Sequence, residues 1–437
     1  MIGIREDWGN LAMDYSHFGQ HSQIFPDPDS PTGATPYQDV AHDKLSLHLD
    51  LPLSFFRLES RAHWQKDEEN EFDDAASPNP IVDLALTSLT LDVKAHHNPI
   101  GPFFGTIGFS MENQLNETKG AEALIPAFNQ FNGAGFLHEE VLVSRLGLSA
   151  GIRFDGRRLH VSDNAGLGVA NQVRNYQALT GAFGAVYHVS EELIVAGNLG
   201  RGWRAPIAEE LFVNGIDQGG MRFKTGNPDL NTEASFNIDL SVRYVSSGVR
   251  GELSFFRNRI SDYIYLASTG AQDSASGLIK YVTQQADALL MGYEFSIESA
   301  VTSNLTIQCG ADMVNGKNEE TNTWLPSTPP QRFTLGVRLH EPTALGIRNP
   351  YLSMNSKIVT DQDRLGDFET PTEGYTLFGA GFGGEIMNSA LRINIDCSIN
   401  NILNRAYVDH LSRYKNYALN PGRDFTIKLS VPFDIVR

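Results

Sequence analysis

The amino-acid sequence predicts an all-β protein, a transmembrane antiparallel β-barrel in which about eighteen strands are visible. Three observations predict it. Apolar and polar side chains alternate with period two along most of the 437 residues, as they do when successive side chains leave opposite faces of a sheet. Many strand-like runs span nine to twelve residues, longer than the roughly five or six usual in a soluble sandwich and suited to a tilted bilayer crossing. Short and long connectors alternate down the chain, as tight turns at one membrane face alternate with extended loops at the other.

In order, the runs lie near 6–15, 44–51, 54–65, 86–97, 103–115, 133–143, 145–155, 176–188 and 192–203. They continue near 234–246, 248–262, 289–299, 303–314, 331–341, 350–360, 374–386, 389–401 and 424–433. In LRINIDCSI, Leu391, Ile393, Ile395, Cys397 and Ile399 take one face, and Arg392, Asn394, Asp396 and Ser398 the other. In the 54–65 run, Phe56, Leu58, Ala62 and Trp64 oppose Arg57, Glu59, Arg61 and His63. Alternation alone fits a soluble barrel as well as a membrane one; the connectors decide. Joins of about two residues follow 51, 143, 246 and 386, whereas 16–43, 65–85, 116–132, 156–175, 204–233, 263–288, 315–330, 361–373 and 402–423 read as long loops. With the last strand descending to the periplasm, the long loops are extracellular.

A formal charge of −18 and a pI near 5.1 exclude a nucleic-acid partner, which requires a basic surface, and suit a cation-attracting one. Cys309 and Cys397 stand far apart on apolar phases and read as small hydrophobes without a disulfide. No apolar run is long enough for a helical span, and the first residues lack the apolar core of a signal peptide.

Enzyme motifs fail on inspection. GAGFGG at 379–384 lies in a strand with no helix after it, so its glycines read as close packing. His138-Glu139-Glu140 lacks the second histidine of a zinc-protease helix, and Gly310–Lys317 lacks the spacing of a phosphate loop. The chain is expected not to be an enzyme, and no resident cofactor is assigned. Loop 16–43 is the metal candidate. Its His17, His21 and His42, with Asp27 and Asp29, offer imidazole and carboxylate ligands for a borderline cation such as zinc. Arg413, Lys415 and Arg423 offer a basic site for an anionic chelate.

RAPIAEELFVNG at 204–215 interrupts the strands. Pro206 cannot donate to a ladder and ends the preceding strand, leaving about one helical turn at the rim with Glu209 and Glu210 read as solvating acids.

The chain resembles the β-barrel part of TonB-dependent outer-membrane receptors, weakly of the zinc- or metal-uptake type. Arg204, Ala205, Pro206, Glu210 and Leu211 carry the resemblance first, followed by Gly226, Asn227, Pro228, Leu230 and Glu233. Near the end Pro421, Gly422, Arg423 and Phe425 continue it, with Phe433 matching the terminal aromatic read by the barrel-assembly machinery. The resemblance implies a twenty-two-stranded barrel with an N-terminal plug, driven through TonB to import a metal ion or metal chelate such as zinc or a ferric siderophore. On that reading residues 1–437 are a partial barrel domain lacking signal peptide, TonB box, plug and first strands. The expected location is the outer membrane of a Gram-negative bacterium. The implied partners are outer-membrane lipid and lipopolysaccharide, the assembly machinery, and TonB only through the missing plug and TonB box. A passive porin-like channel, a non-transporting fragment and a soluble adhesive β-protein are the alternatives.

Overall fold

The computed structural model describes residues 2–24, 36–74, 77, 79–217, 222–388 and 391–432, and these form twenty-two strands and one short helix. Eighteen strands are seven residues or longer, and each coincides with one run read from the sequence. The four shorter ones are Ile2–Glu6, Asn214–Asp217, Arg222–Thr225 and Thr343–Ala344.

The chain forms two compact units. The first comprises residues 1–186, 198–237 and 259–288. There the strands Gly9–Gln23, Tyr37–Pro52, Phe56–Phe72, Val82–His97, Phe103–Thr118, Phe128–Val143 and Leu146–Val161 pair antiparallel, each with the next. The unbroken register turns the sequence alternation into two chemically distinct faces. Tyr15, Leu45, Trp64 and Leu89 form one cross-strand row, and Ile107, Leu137 and Ile152 another. These side chains are on the outward face, and Tyr15, Trp64, Leu89, Ile107, Leu137 and Ile152 are exposed. An apolar surface of that extent is what lipid requires and water disfavours. The opposite face carries His48, Arg61 and Asp92 in one row, an ionic lining.

The second unit comprises residues 187–197, 238–258 and 289–437. Its row Leu339, Leu352, Phe382, Cys397 and Ile427 is again apolar, and both cysteines are free. A Cβ at Gly383 would stand 2.5 Å from the Ile395 carbonyl oxygen and 2.7 Å from the Tyr351 ring, so this glycine of GAGFGG serves close packing.

The loop boundaries need correction. Much of the connectors read as 16–43, 65–85, 116–132 and 263–288 is strand: Gly9–Gln23 and Tyr37–Pro52 pair from Asn10↔Asp50 to Gln23↔Tyr37. Beyond the apolar rows the outward phase turns polar, as in Lys66, Glu68 and Asn70, so the hydropathy alternation is lost while the backbone ladder continues.

Phe109 and Ser88 test the faces. Phe109→Arg should cost about 2–4 kcal/mol near the bilayer midplane and abolish heat-modifiable migration. Ser88→Arg, on the ionic face, should leave migration unchanged.

Candidate functional site

The site is built where the strand Leu193–Arg204 ends. Pro206 breaks the ladder, and the helix Ala208–Phe212 begins after Ile207. Glu210 reaches back to accept the Ile207 amide at 2.9 Å, satisfying one of the orphan donors at the helix start. The same carboxylate takes two bonds from Arg204 Nη1, both 2.8 Å. Arg204 Nε and Nη2 grip Glu233 at 2.9 and 2.8 Å, and Glu233 also accepts the Ile264 amide at 2.6 Å. One guanidinium fork thus ties a strand end, a helix and the next strand together.

Beneath the fork, Leu211, Phe212, Leu230 and Ile264 pack with the fully buried Leu159 and Val161. Ala205 and Pro206 are buried beside them. GNPDL closes the clamp: Gly226 donates to the Val213 carbonyl at 2.7 Å and Asn227 to the Glu210 carbonyl at 2.9 Å. A Cβ on Gly226 would meet Phe212 N at 2.6 Å, so a larger residue cannot approach. Asn227 Oδ1 accepts the Asp229 amide at 2.9 Å, forming the turn that carries Pro228. Glu209 and Glu210 therefore do more than solvate a rim. Glu210 is a structural ion-pair partner, and Glu209 pairs with Lys224 at 2.9 Å.

The three histidines of the metal candidate are not brought together. His17 pairs with Asp43 at 2.9 Å and His21 with Asp39 at 2.6 Å, while His42 bonds Asp67. His17 lies opposite Asp43 in the register and His42 opposite Phe18, so alternation sends His42 to the other face from His17 and His21. Among the described residues no group of three His, Cys, Asp or Glu is placed to hold a metal ion. Asp27 and Asp29 lie outside the described residues, as does Phe433.

An acidic cavity of about 210 Å³ lies near the clamp. Glu69 and Glu71 line it from the strand Phe56–Phe72, and Glu209, Asp217 and Lys224 from the helix and the paired strands Asn214–Asp217 and Arg222–Thr225. Past Trp64 that face of the strand carries Lys66, Glu68 and Asn70 before Phe72 ends it, stacked on Tyr37. Glu71 thus stands about 20 Å beyond the apolar rows, outside the membrane. Burial, together with the charges of Glu69 and Asp217, pushes its carboxyl up to about 7, against a smaller opposing pull from Lys224. Sequence reading missed this cavity because its acids lie far apart in the chain.

The C-terminal motif is a second clamp. Arg423 donates from Nε to the Ile402 carbonyl at 2.8 Å and from its amide to Asn404 Oδ1 at 2.9 Å. A Cβ on Gly422, beside the exposed Pro421, would come within 2.7 Å of that Asn404 oxygen. Phe425 is exposed opposite Ile399 on the apolar face. Lys415 is held by Glu369 at 3.5 Å and by the Thr370 carbonyl at 3.1 Å, so Lys415 and Arg423 have structural partners and Arg413 is left from the basic trio. Glu369 also bonds the buried His410 at 3.1 Å.

Arg204→Lys should lower stability by about 1–3 kcal/mol, because an ammonium cannot fork to both acids; faster proteolysis within 204–233 is the readout. The paired strands Asn214–Asp217 and Arg222–Thr225 should respond to pH. With its folded value above the unfolded one, Glu71 favours the folded state fully below about 4.5, and this advantage is lost as pH rises to about 7. Amide protection factors of these two strands, corrected for the intrinsic pH dependence of exchange, should therefore be higher at pH 5 than at pH 8, and Glu71→Gln should flatten that difference.

Residues 5–402 match the family model described as TonB dependent receptor-like, beta-barrel. TonB-dependent heme receptor A of Haemophilus ducreyi is 20% identical over 344 residues, covering 71% of this chain and 46% of the receptor. Its namesake in Haemophilus influenzae is 22% identical over 351 residues, covering 71% and 45%. The chain thus spans about half the length of these curated relatives. Among solved structures, the copper transporter OprC superposes with a TM-score of 0.77 at 15% identity, covering 97% of this chain and 75% of that one. The FrpB iron transporter from Neisseria meningitidis gives 0.75 at 14% identity, covering 98% and 70%. Fold likeness, the apolar rows and the family match agree: the chain belongs to the TonB-dependent receptor-like β-barrels, a transport rather than an enzyme family, and is a transmembrane β-barrel of the Gram-negative outer membrane.

Proposed function

We propose that this barrel serves TonB-driven import of a metal ion or metal chelate across the outer membrane. The family match over residues 5–402 carries the reading. It is supported by relatives named as heme receptors and by fold neighbours named as copper and iron transporters. The chain's formal charge of −18 favours the approach of cations and metal-bearing ligands. Lipopolysaccharide would surround the apolar rows, the barrel-assembly machinery would insert the chain, and TonB would act through a plug and TonB box.

Within this reading zinc and ferric siderophores remain separate candidates. A zinc site would have to use His17 and His21 with their partners Asp43 and Asp39 on one face, without His42. Uptake of ⁶⁵Zn, ⁶⁴Cu, ⁵⁵Fe-haem and a ⁵⁵Fe-siderophore in cells with and without the gene separates the substrates. Loss of one signal on deletion, and its collapse with an uncoupler or without TonB, is expected. Uncoupler-insensitive passage of small solutes would instead show a passive channel.

A further inference from the structure

The acidic cavity beside the clamp has the composition of a recognition pocket. Glu71 is more than nine-tenths buried, lines the cavity, and its Oε2 has no hydrogen-bond partner among the described residues. Glu69, on the same strand face two residues away, accepts one bond from the neutral Gln38 at 2.7 Å. Lys224 also lines the cavity but makes its ion pairs with Asp217 at 2.8 Å and Glu209 at 2.9 Å, not with Glu71, and Arg222 pairs with Asp217 at 3.1 Å. An unpaired buried carboxylate costs several kcal/mol unless it is neutralised or finds a positive partner.

The remaining wall is apolar. Val82 and Leu84 stand directly across the strand register from Glu71 and Glu69, and Leu124, Ile125, Val213 and Ile216 complete the lining. That wall disfavours a bare divalent ion, which takes about six or more oxygen ligands, and no three-ligand metal group is assembled among the described residues. It suits a cation with a hydrocarbon stem. The volume, about 210 Å³, admits a short alkyl chain.

We propose that this cavity binds a primary alkylammonium group, with its nitrogen between Glu69 and Glu71 and its stem against Val82, Leu84 and Ile125. The site is independent of which nutrient the receptor carries. The ammonium would supply the hydrogen-bond donors that Glu71 Oε2 lacks, and its charge would offset the repulsion among Glu69, Glu71 and Asp217. Because Glu71 holds its proton to about pH 7, the cation competes with that proton and binds better in alkaline solution.

Saturation-transfer NMR on the purified full chain in detergent, with n-butylammonium as probe and 1-butanol as its neutral counterpart, tests the site. Butylammonium should saturate at pH 8, weaken at least fivefold at pH 5.5, and lose at least tenfold in affinity in Glu71→Gln; butanol should not bind. Heat-modifiable migration reports whether that variant is folded. If it is not, Glu69→Gln must show the same loss, and the wild-type pH and butanol comparisons decide without any variant. Equal binding of butanol, pH-independent binding, or unchanged affinity in a folded variant overturns the proposal. Displacement of the amine by equimolar Zn²⁺ overturns it in favour of a metal site. No uptake measurement enters, so failure here is distinct from failure of the import reading.

Discussion

Hydrocarbon offers a peptide group no hydrogen-bond partner, so every backbone N–H and C=O within the bilayer must be satisfied by a neighbouring strand. The unbroken registers answer that constraint, with sixteen consecutive residue pairs between Tyr37–Pro52 and Phe56–Phe72 alone. Strand pairing then dictates side-chain chemistry. Because successive residues point to opposite faces, one phase must be apolar and the other is free to carry ions. The apolar row Tyr15, Leu45, Trp64 and Leu89 and the ionic row His48, Arg61 and Asp92 are two products of one constraint.

Where the membrane ends, the ladder continues but its side-chain rule relaxes. The strands run on without a continuous apolar outward face, and the fold must be held there by specific contacts. Arg204 supplies them in the first unit by joining Glu210 and Glu233, over a small core centred on Leu159 and Val161. Arg423 and the Glu369–His410 pair do so in the second. The motif residues that mark the family are thus largely structural. A short motif with bidentate charges, a proline and glycines identifies the place where a long strand gives way to a helix and short strands.

Ionic chemistry gathers in that outer region. Its acids are handled in two ways. Asp43, Asp39 and Asp67 each take a histidine, giving local pairs on a strand surface. Glu69 and Glu71 instead face an apolar-walled cavity beside two short paired strands, where burial makes their charge expensive and a positive partner valuable. Asp67, Glu69 and Glu71 stand on one face of one strand, so it is the partners within reach, a histidine or an apolar wall, that give each carboxylate its chemistry.

The eighteen long strands were legible because period two is a property of the chain itself; RAPIAEELF and GNPDL were legible as a break because proline and glycine act locally. The strand extensions beyond Tyr15 and Trp64 were not, since polar residues interrupt the apolar phase and erase the alternation without ending the ladder. Nor was the separation of His42 from His17 and His21, which depends on register. By itself the sequence determined the all-β class, the two chemical faces and the family motifs, all features encoded within a few residues. Tertiary structure alone decided that Arg204 joins Glu210 to Glu233, and that Glu71 meets Asp217 across a cavity. Glu233 lies 29 residues from Arg204 and Asp217 far along the chain from Glu71, and only strand pairing and packing bring them within reach of one another's charge.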